Sequence, residues 1–217
     1  ISNTRKDQWG GSLKNRARFV REVYREIRTQ VGPDYPVGIK INSADFQKGG
    51  FTEAESMEVV QFLSREGMDL IEISGGTYEK PAMVKGNRKQ STFEREAYFL
   101  DYIEKARKIT DKPLLLTGGF RSVKVMEDAL ADGKLDVIGL GRPFCLYPNL
   151  AQDIFDGKET RFEAPVPTIG IKLLDKMGGV ELPWYELQIQ RLGKGKNPKP
   201  NLAGIWALLI TIRGMLL

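Results

Sequence analysis

Four short apolar runs alternate with helix-length segments along this chain, and that rhythm limits its fold more than any other feature. The runs are Val37–Ile41, Leu70–Ile73, Leu114–Leu116 and Val137–Leu140. Each reads as a buried strand that stops at a tight turn. Between them the pattern changes to helical spacing. Phe19, Val20, Val23, Ile27 and Val31 precede the first strand and stop at Gly32-Pro33. Thr52 and Glu55 form a capping box for a helix that buries Val59, Val60 and Leu63 and ends at Gly67. After a long loop to about Phe93, a helix over Glu94–Ile109 presents Phe99, Ile103 and Ala106. Ser122 caps the next, with Val123, Met126 and Leu130, and a last one runs from Pro148 to near Gly157. Strict alternation with short connections implies an α/β fold with a parallel sheet. Right-handed crossovers lay every helix on one face when strands are added in sequence order. That is a curving barrel wall, and four strands make half of an eight-stranded barrel, with two open edges.

Beyond Phe162 the rhythm stops. Pro165 and Pro167 mark a linker, Pro183–Leu192 reads as a helix with Pro at its first position, and 193–201 is a basic Gly/Pro-rich turn. The expected organisation is therefore a half barrel over 1–160 and a C-terminal helical extension, 161–217, packed on it. The segment 202–217 is apolar but shorter than the roughly 20 residues a bilayer requires. A helix docked on its own protein is expected. The alternative is contact with anionic lipid through Lys194, Lys196 and Lys199.

Composition narrows the chemistry. With 41% hydrophobic and 28% charged residues, the 217-residue chain reads as a soluble globular domain with a sizeable core. The net charge of +5 is dispersed along the chain, which argues against a nucleic-acid stripe. There is no histidine, which excludes a Ser-His-Asp triad, histidine ligation of a metal and histidine acid–base work. Cys145 is the only cysteine, so a zinc site is not expected and no intramolecular disulfide can form. A reducing cytoplasm is the expected compartment, with Cys145 a packing residue. The polar stretch Ile1–Gly11 has no signal-peptide pattern, and a start without Met, in what reads as mid-loop, points to an incomplete chain.

Two of the strands end in glycine one βα unit apart: Leu114-Leu115-Leu116-Thr117-Gly118-Gly119-Phe120 and Val137-Ile138-Gly139-Leu140-Gly141-Arg142-Pro143-Phe144. Glycine lets a backbone N–H approach an anion closely, and Arg142 adds a forked cation. Consecutive loops of this kind make a phosphate cradle, which in a (β/α)₈ barrel follows strands seven and eight. The alternative for Arg142 is a structural salt bridge. Lys40 interrupts an apolar strand and points to the face opposite Ile39 and Ile41. It either snorkels to solvent or holds negative charge in the barrel mouth. A reduced flavin carries such charge at its N1/O2 edge, so Lys40 together with a phosphate cradle suits FMN. Ser74-Gly75-Gly76-Thr77-Tyr78 follows the second strand. It is either a plain turn or a close approach to the ring system with Tyr78 lining the pocket. Asp45 and Phe46 are placed in the same way after the first strand.

Asn3-Thr4-Arg5-Lys6-Asp7-Gln8-Trp9-Gly10-Gly11-Ser12-Leu13-Lys14-Asn15-Arg16 resembles the signature segment of the old yellow enzyme family, the NADH:flavin oxidoreductases. That segment reads Asn-x-Arg-x-Asp-x-aromatic-Gly-Gly-Ser-x-x-Asn-Arg. Gly118-Gly119-Phe120 and Gly141-Arg142-Pro143 are similar to the family's two FMN phosphate loops. The resemblance runs from Ser2 to about Gly157, and more loosely through Trp184-Tyr185. It implies strands five to eight of an FMN-binding (β/α)₈ TIM barrel. It implies that Gly118, Gly119, Gly141 and Arg142 hold the FMN phosphate. Lys40 stands where the family places a basic residue, usually Arg, beside the flavin pyrimidine edge. Asn3, Arg5, Asp7 and the two glycines would fix the loop after strand four. The family takes hydride from NADH or NADPH onto FMN and passes it to an activated alkene or a related small-molecule acceptor. Its substrate-anchoring His/Asn pair and proton-donor Tyr lie before residue 1, so no catalytic residue is expected in this chain.

Two further readings stay open. The half barrel is a non-catalytic module that joins a missing N-terminal half or a second copy at its open strand edges. Alternatively, the same cradle holds a sugar phosphate or a nucleotide.

Overall fold

The computed structural model describes residues 2–75, 99–171, 175 and 180–215. The chain divides into two compact units: Ile1–Ala82 with Ala97–Gly118 and Asp128–Gly139, and Met83–Glu96 with Gly119–Glu127 and Leu140–Leu217. The second unit thus begins its last segment just after the final strand, some 20 residues before the expected division at 160.

In the first unit α1 (Leu13–Val31) precedes β1 (Gly38–Asn42), α2 (Glu53–Glu66), β2 (Leu70–Ser74), α3 (Leu100–Arg107), β3 (Leu114–Thr117) and β4 (Val137–Gly139). A further helix, α4 (Val123–Ala131), lies in sequence between β3 and β4 and is divided between the two units. The sheet is wholly parallel, in the order β1-β2-β3-β4, with Ile39 opposite Ile71, Ile71 opposite Leu114 and Leu116 opposite Ile138. Ile71, Ile73, Leu114 and Leu116 point to one face and are fully buried, as are Val60 and Leu63 of α2 and Ile103 and Ala106 of α3. Burying each of these Val, Leu and Ile side chains stabilises the fold by about 1.5–3 kcal/mol. The opposite face carries Lys40, Glu72, Leu115, Thr117 and Val137 and remains partly open.

The capping box forms as expected: the Glu55 N–H donates to Thr52 Oγ1 at 3.2 Å and the Thr52 N–H to Glu55 Oε2 at 3.0 Å. A buried polar chain then ties α2 to its neighbours. Ser56 Oγ donates to the Asn42 carbonyl at 2.7 Å and lies 2.7 Å from the Tyr102 hydroxyl.

Two apolar patterns do not bury as their spacing suggests. Helix α1 buries only Ala17 and Tyr24, while Phe19 is 69% exposed and Val23, Ile27 and Val31 are exposed as well. The reason is that α1 meets its neighbours through charge. Arg16 pairs with Glu55, Arg21 and Arg25 with Glu66, and Arg28 with Asp69. On α4 the buried residues are Met126 and Ala129, and Leu130 is exposed. The helix expected from Glu94 is described from Leu100 onward; residues 94–98 and most of the preceding loop lie outside the described residues.

In the second unit a 3₁₀ turn (Arg142–Cys145) and α5 (Leu150–Phe155) follow β4, and α6 (Glu181–Gly193) and α7 (Gly204–Met215) complete the described chain. Trp184, Tyr185, Leu146 and Ala207 form its core, with Cys145, Leu187 and Leu202 packed against them. Trp184 Nε1 donates to the Leu202 carbonyl at 2.8 Å, and the Tyr185 hydroxyl to Pro165 at 2.8 Å. Buried Gln188 accepts from the Lys199 N–H at 2.7 Å, which anchors the basic turn. Pro183 is the third residue of α6, not the first, still within the turn whose N–H groups lack intrahelical partners. Among the described residues no helix is long and apolar enough to cross a membrane.

Candidate functional site

The signature segment folds into a self-bonded loop that caps α1. Asn3 Nδ2 donates to the Trp9 carbonyl at 2.8 Å, and Asn15 Nδ2 to the Asp7 carbonyl at 3.2 Å. Arg5 Nη2 pairs with Asp7 Oδ2 at 2.6 Å, and the Trp9 N–H donates to Asp7 Oδ1 at 2.9 Å. Ser12 Oγ accepts from the Asn15 N–H, capping the helix. Gly10 sits against the Arg5 carbonyl, where a Cβ would collide with backbone. These contacts agree with the structural role expected of Asn3, Arg5 and Asp7. A cleft of about 530 Å³ lined by Asn3, Arg5, Trp9, Arg16 and Phe19 opens beside the loop and includes none of the predicted site residues.

The Arg5 hydrogen bond, helped by the Trp9 N–H, holds the Asp7 carboxyl down at about 2. A depressed carboxyl stabilises the loop above its unfolded value of about 3.9. That stabilisation is lost as pH falls through about 2. Acidification from about pH 4 to pH 2 is therefore expected to release the loop first, seen as loss of Trp9 amide protection by NMR. Asp7→Asn should abolish that transition. Full Trp9 protection at pH 2 would count against the assignment.

On the open face of the first unit's sheet, Lys40 stands in register with Glu72. Lys40 Nζ donates to Glu72 Oε1 at 2.6 Å, and Thr117 Oγ1 donates to the same oxygen at 2.7 Å. Lys40 thus points away from the buried Ile/Leu face, as alternation requires, and its ammonium is held sideways by a carboxylate. Phe46, just beyond β1, has φ +56°, an uncommon value for a residue with a side chain. Phe46 is 53% exposed, and its ring lies 6.2 Å from that of Phe99 at 23°. Asp45 fixes this loop, its N–H donating to the Phe51 carbonyl at 2.9 Å and its Oδ2 accepting from the Phe51 N–H at 3.0 Å. Gly75 follows β2 and packs under Phe99, where a Cβ would meet the ring at 2.7 Å. Tyr78 and Gly76 lie outside the described residues.

Gly118 follows β3 directly, and it and Gly119 have φ of 146° and 89°, values that L side chains rarely adopt. Gly118 closes a segment of the first unit and Gly119 opens one of the second. Within the second unit the chain after Gly119 is pinned by the Phe162 N–H to the Arg121 carbonyl and the Val123 N–H to Thr160, both at 2.9 Å. Gly141 is exposed, with open space where a Cβ would be.

Arg142 Nη1 pairs with Glu181 Oε1, joining the 3₁₀ turn to the first residue of α6. The Glu181 side chain is only 10% exposed, and among the described residues its Oε2 has no hydrogen-bond partner. Burial pushes the Cys145 thiol and the Tyr185 phenol up, and in both the Arg142 charge opposes the shift. Cys145 is accordingly a packing residue, not an activated thiolate.

Three polar partners were not singled out from the sequence. Glu72 had a signal, as a lone charge inside an apolar strand like Lys40. Thr117 ends its strand unremarkably. Glu181 lies 39 residues from Arg142, and nothing local to it indicates the pairing.

Residues 1–161 match the NADH:flavin oxidoreductase / NADH oxidase family. The chain is 42% identical over 159 residues to the NADH-dependent flavin oxidoreductase nadA of Aspergillus parasiticus, covering 72% of this chain and 35% of that protein. It is 37% identical over 198 residues to the NADH-dependent flavin oxidoreductase iliE of Neonectria sp. (strain DH2), covering 87% of this chain and 25% of that protein. Among solved structures, a 2-naphthoyl-CoA reductase in complex with 2-naphthoyl-CoA superposes with a TM-score of 0.65 at 32% identity. That match covers 72% of this chain and 23% of the reductase. The chain thus spans about a quarter to a third of the length of these relatives. With the signature loop formed and both glycine loops following adjacent parallel strands, this chain belongs to the NADH:flavin oxidoreductase / NADH oxidase family.

Proposed function

We propose that this chain is the C-terminal, FMN-phosphate-binding part of a flavin oxidoreductase of the old yellow enzyme type, formed from strands five to eight of a (β/α)₈ barrel. The observation that carries this reading is the pair of glycine loops at the C-terminal ends of adjacent parallel strands, the second with a guanidinium at its base. The residues present fit a phosphate. Gly118 and Gly119 hold backbone conformations open to close approach, Gly141 faces open space, and Arg142, paired through Nη1 with Glu181, carries further guanidinium donors. Backbone N–H groups at Gly118, Gly119 and Gly141 and the guanidinium of Arg142 bind the phosphate. Lys40 stabilises negative charge at the pyrimidine edge of the ring system. Phe46, exposed beyond β1, lines the acceptor pocket. When bound, FMN supplies hydride transfer from NADH or NADPH to an activated alkene or a related small molecule.

The test is a visible-absorbance titration with FMN, on this chain alone and on the chain joined to the N-terminal half of a relative. Perturbation of the flavin bands in either sample is expected. An unperturbed spectrum in both would overturn the reading.

A second reading is favoured by the strand edges. β1 and β4 each pair on one side only among the described residues, and a parallel sheet with two free edges is a template for another chain. A second copy of the half barrel joined at those edges would scatter light as a dimer. A monomer at high concentration counts against it.

A further inference from the structure

Across three neighbouring strands the open face of the sheet carries a lateral polar row: Lys40 on β1, Glu72 on β2 and Thr117 on β3. Both outer groups donate to one oxygen, Glu72 Oε1, at 2.6 and 2.7 Å. The row is built into the register, since Lys40 pairs with Glu72 across the first two strands. It also depends on Gly139 of β4, because a Cβ there would fall on the Thr117 hydroxyl. The Lys40 side chain is half exposed, while that of Glu72 is only 24% exposed. The carboxylate is therefore the fixed member, and it decides where the longer, freer lysine stem ends. A cation neutralised by a carboxylate in contact with it exerts a much weaker field on a third charge than a free one.

We infer that Glu72 is a positioning residue for Lys40, a counter-ion that fixes its Nζ and sets how much of its positive charge a bound flavin feels. The inference rests on the proposed placing of Lys40 at the flavin edge: Glu72 restrains the stabilisation that Lys40 gives to the reduced, anionic form. Thr117 holds the carboxylate in place from the other side. Lys40 alone would favour the reduced form strongly; Lys40 with Glu72 favours it weakly.

The experiment compares wild type, Glu72→Gln and Glu72→Asp, each titrated with oxidised and with dithionite-reduced FMN under anaerobic conditions. Circular dichroism checks the fold of each. Glu72→Gln keeps the shape and removes the charge. It should raise the affinity for reduced over oxidised FMN about tenfold, the scale of deleting one unit charge beside a half-exposed site. For a two-electron couple that is about 30 mV more positive. Glu72→Asp retains the charge and should stay within about twofold of wild type, whereas a merely structural role would make the two variants behave alike. An unchanged ratio in a folded, FMN-binding Glu72→Gln protein overturns the inference and leaves the proposed function standing. Wild type that binds no FMN in either form, both alone and joined to the N-terminal half of a relative, overturns both. Should Glu72→Gln fail to fold, Glu72→Ala carries the test with the same sign: a shift toward reduced FMN supports the role, and no shift overturns it.

Discussion

Arg142→Ala is expected to cost the protein stability and, on the proposed phosphate contact, its preference for FMN over riboflavin. In the structure the guanidinium is the hydrogen-bond partner of a side chain only 10% exposed, Glu181, whose second oxygen already lacks one among the described residues. Removing Arg142 leaves a buried carboxylate with neither oxygen paired, and breaking a buried pair in this way costs about 3–5 kcal/mol. The second loss is electrostatic. A charge-assisted hydrogen bond contributes about 1.5–3 kcal/mol, so FMN should lose about 10- to 150-fold in affinity. Riboflavin, which has no phosphate, should lose nothing specific. The two losses separate in the double variant Arg142→Ala/Glu181→Gln. Neutralising the stranded carboxylate recovers part of the melting temperature, but the FMN preference stays lost. Isothermal titration with FMN and riboflavin, beside thermal melts, reads both. If the double variant folds and still prefers FMN as wild type does, Arg142 is only the pillar that joins the 3₁₀ turn to α6.

Gly139→Ala is expected to disturb the sheet from its last strand. The added Cβ would coincide with the Thr117 hydroxyl and stand 2.8 Å from Leu115 Cδ2. Thr117 can turn away, but then it gives up its bond to Glu72 Oε1, and Leu115 must shift as well. Overpacking of this kind costs about 1–3 kcal/mol, which for a chain of this size lowers Tm by roughly 2–12 °C. Thr117→Ala in the same background makes room and should restore most of the melting temperature while leaving Glu72 with one donor fewer. A single variant that melts within ~1 °C of wild type would show that β4 yields at no cost, contrary to its register with β3.

The elements themselves were legible in the residues. Strand and helix follow from period-two and period-3.6 patterns, and those depend on neighbours a few positions apart. The Thr52/Glu55 box and the break at Gly67 are local in the same sense, and all formed where expected. The signature loop was legible for a related reason: its bonds join residues no more than about eight positions apart, so their spacing contains the fold. The apolar stripe of α1 was misleading because spacing shows that a face exists but not what meets it. There, arginines on α1 found Glu55, Glu66 and Asp69 at 39 to 45 positions' remove, and Phe19 and Ile27 were left outside.

By itself the amino-acid order determined a parallel βα sheet, its family and the two glycine loops that end β3 and β4. Only the tertiary structure decided what the charged groups in and around those strands face. Lys40 meets Glu72 because β1 and β2 pair in one register, and a slip of one residue would point the two side chains to opposite faces. Arg142 meets Glu181 because α6 folds back onto the turn after β4. Such pairings are fixed by register and packing across 32 and 39 residues of chain, a distance over which sequence spacing holds no information.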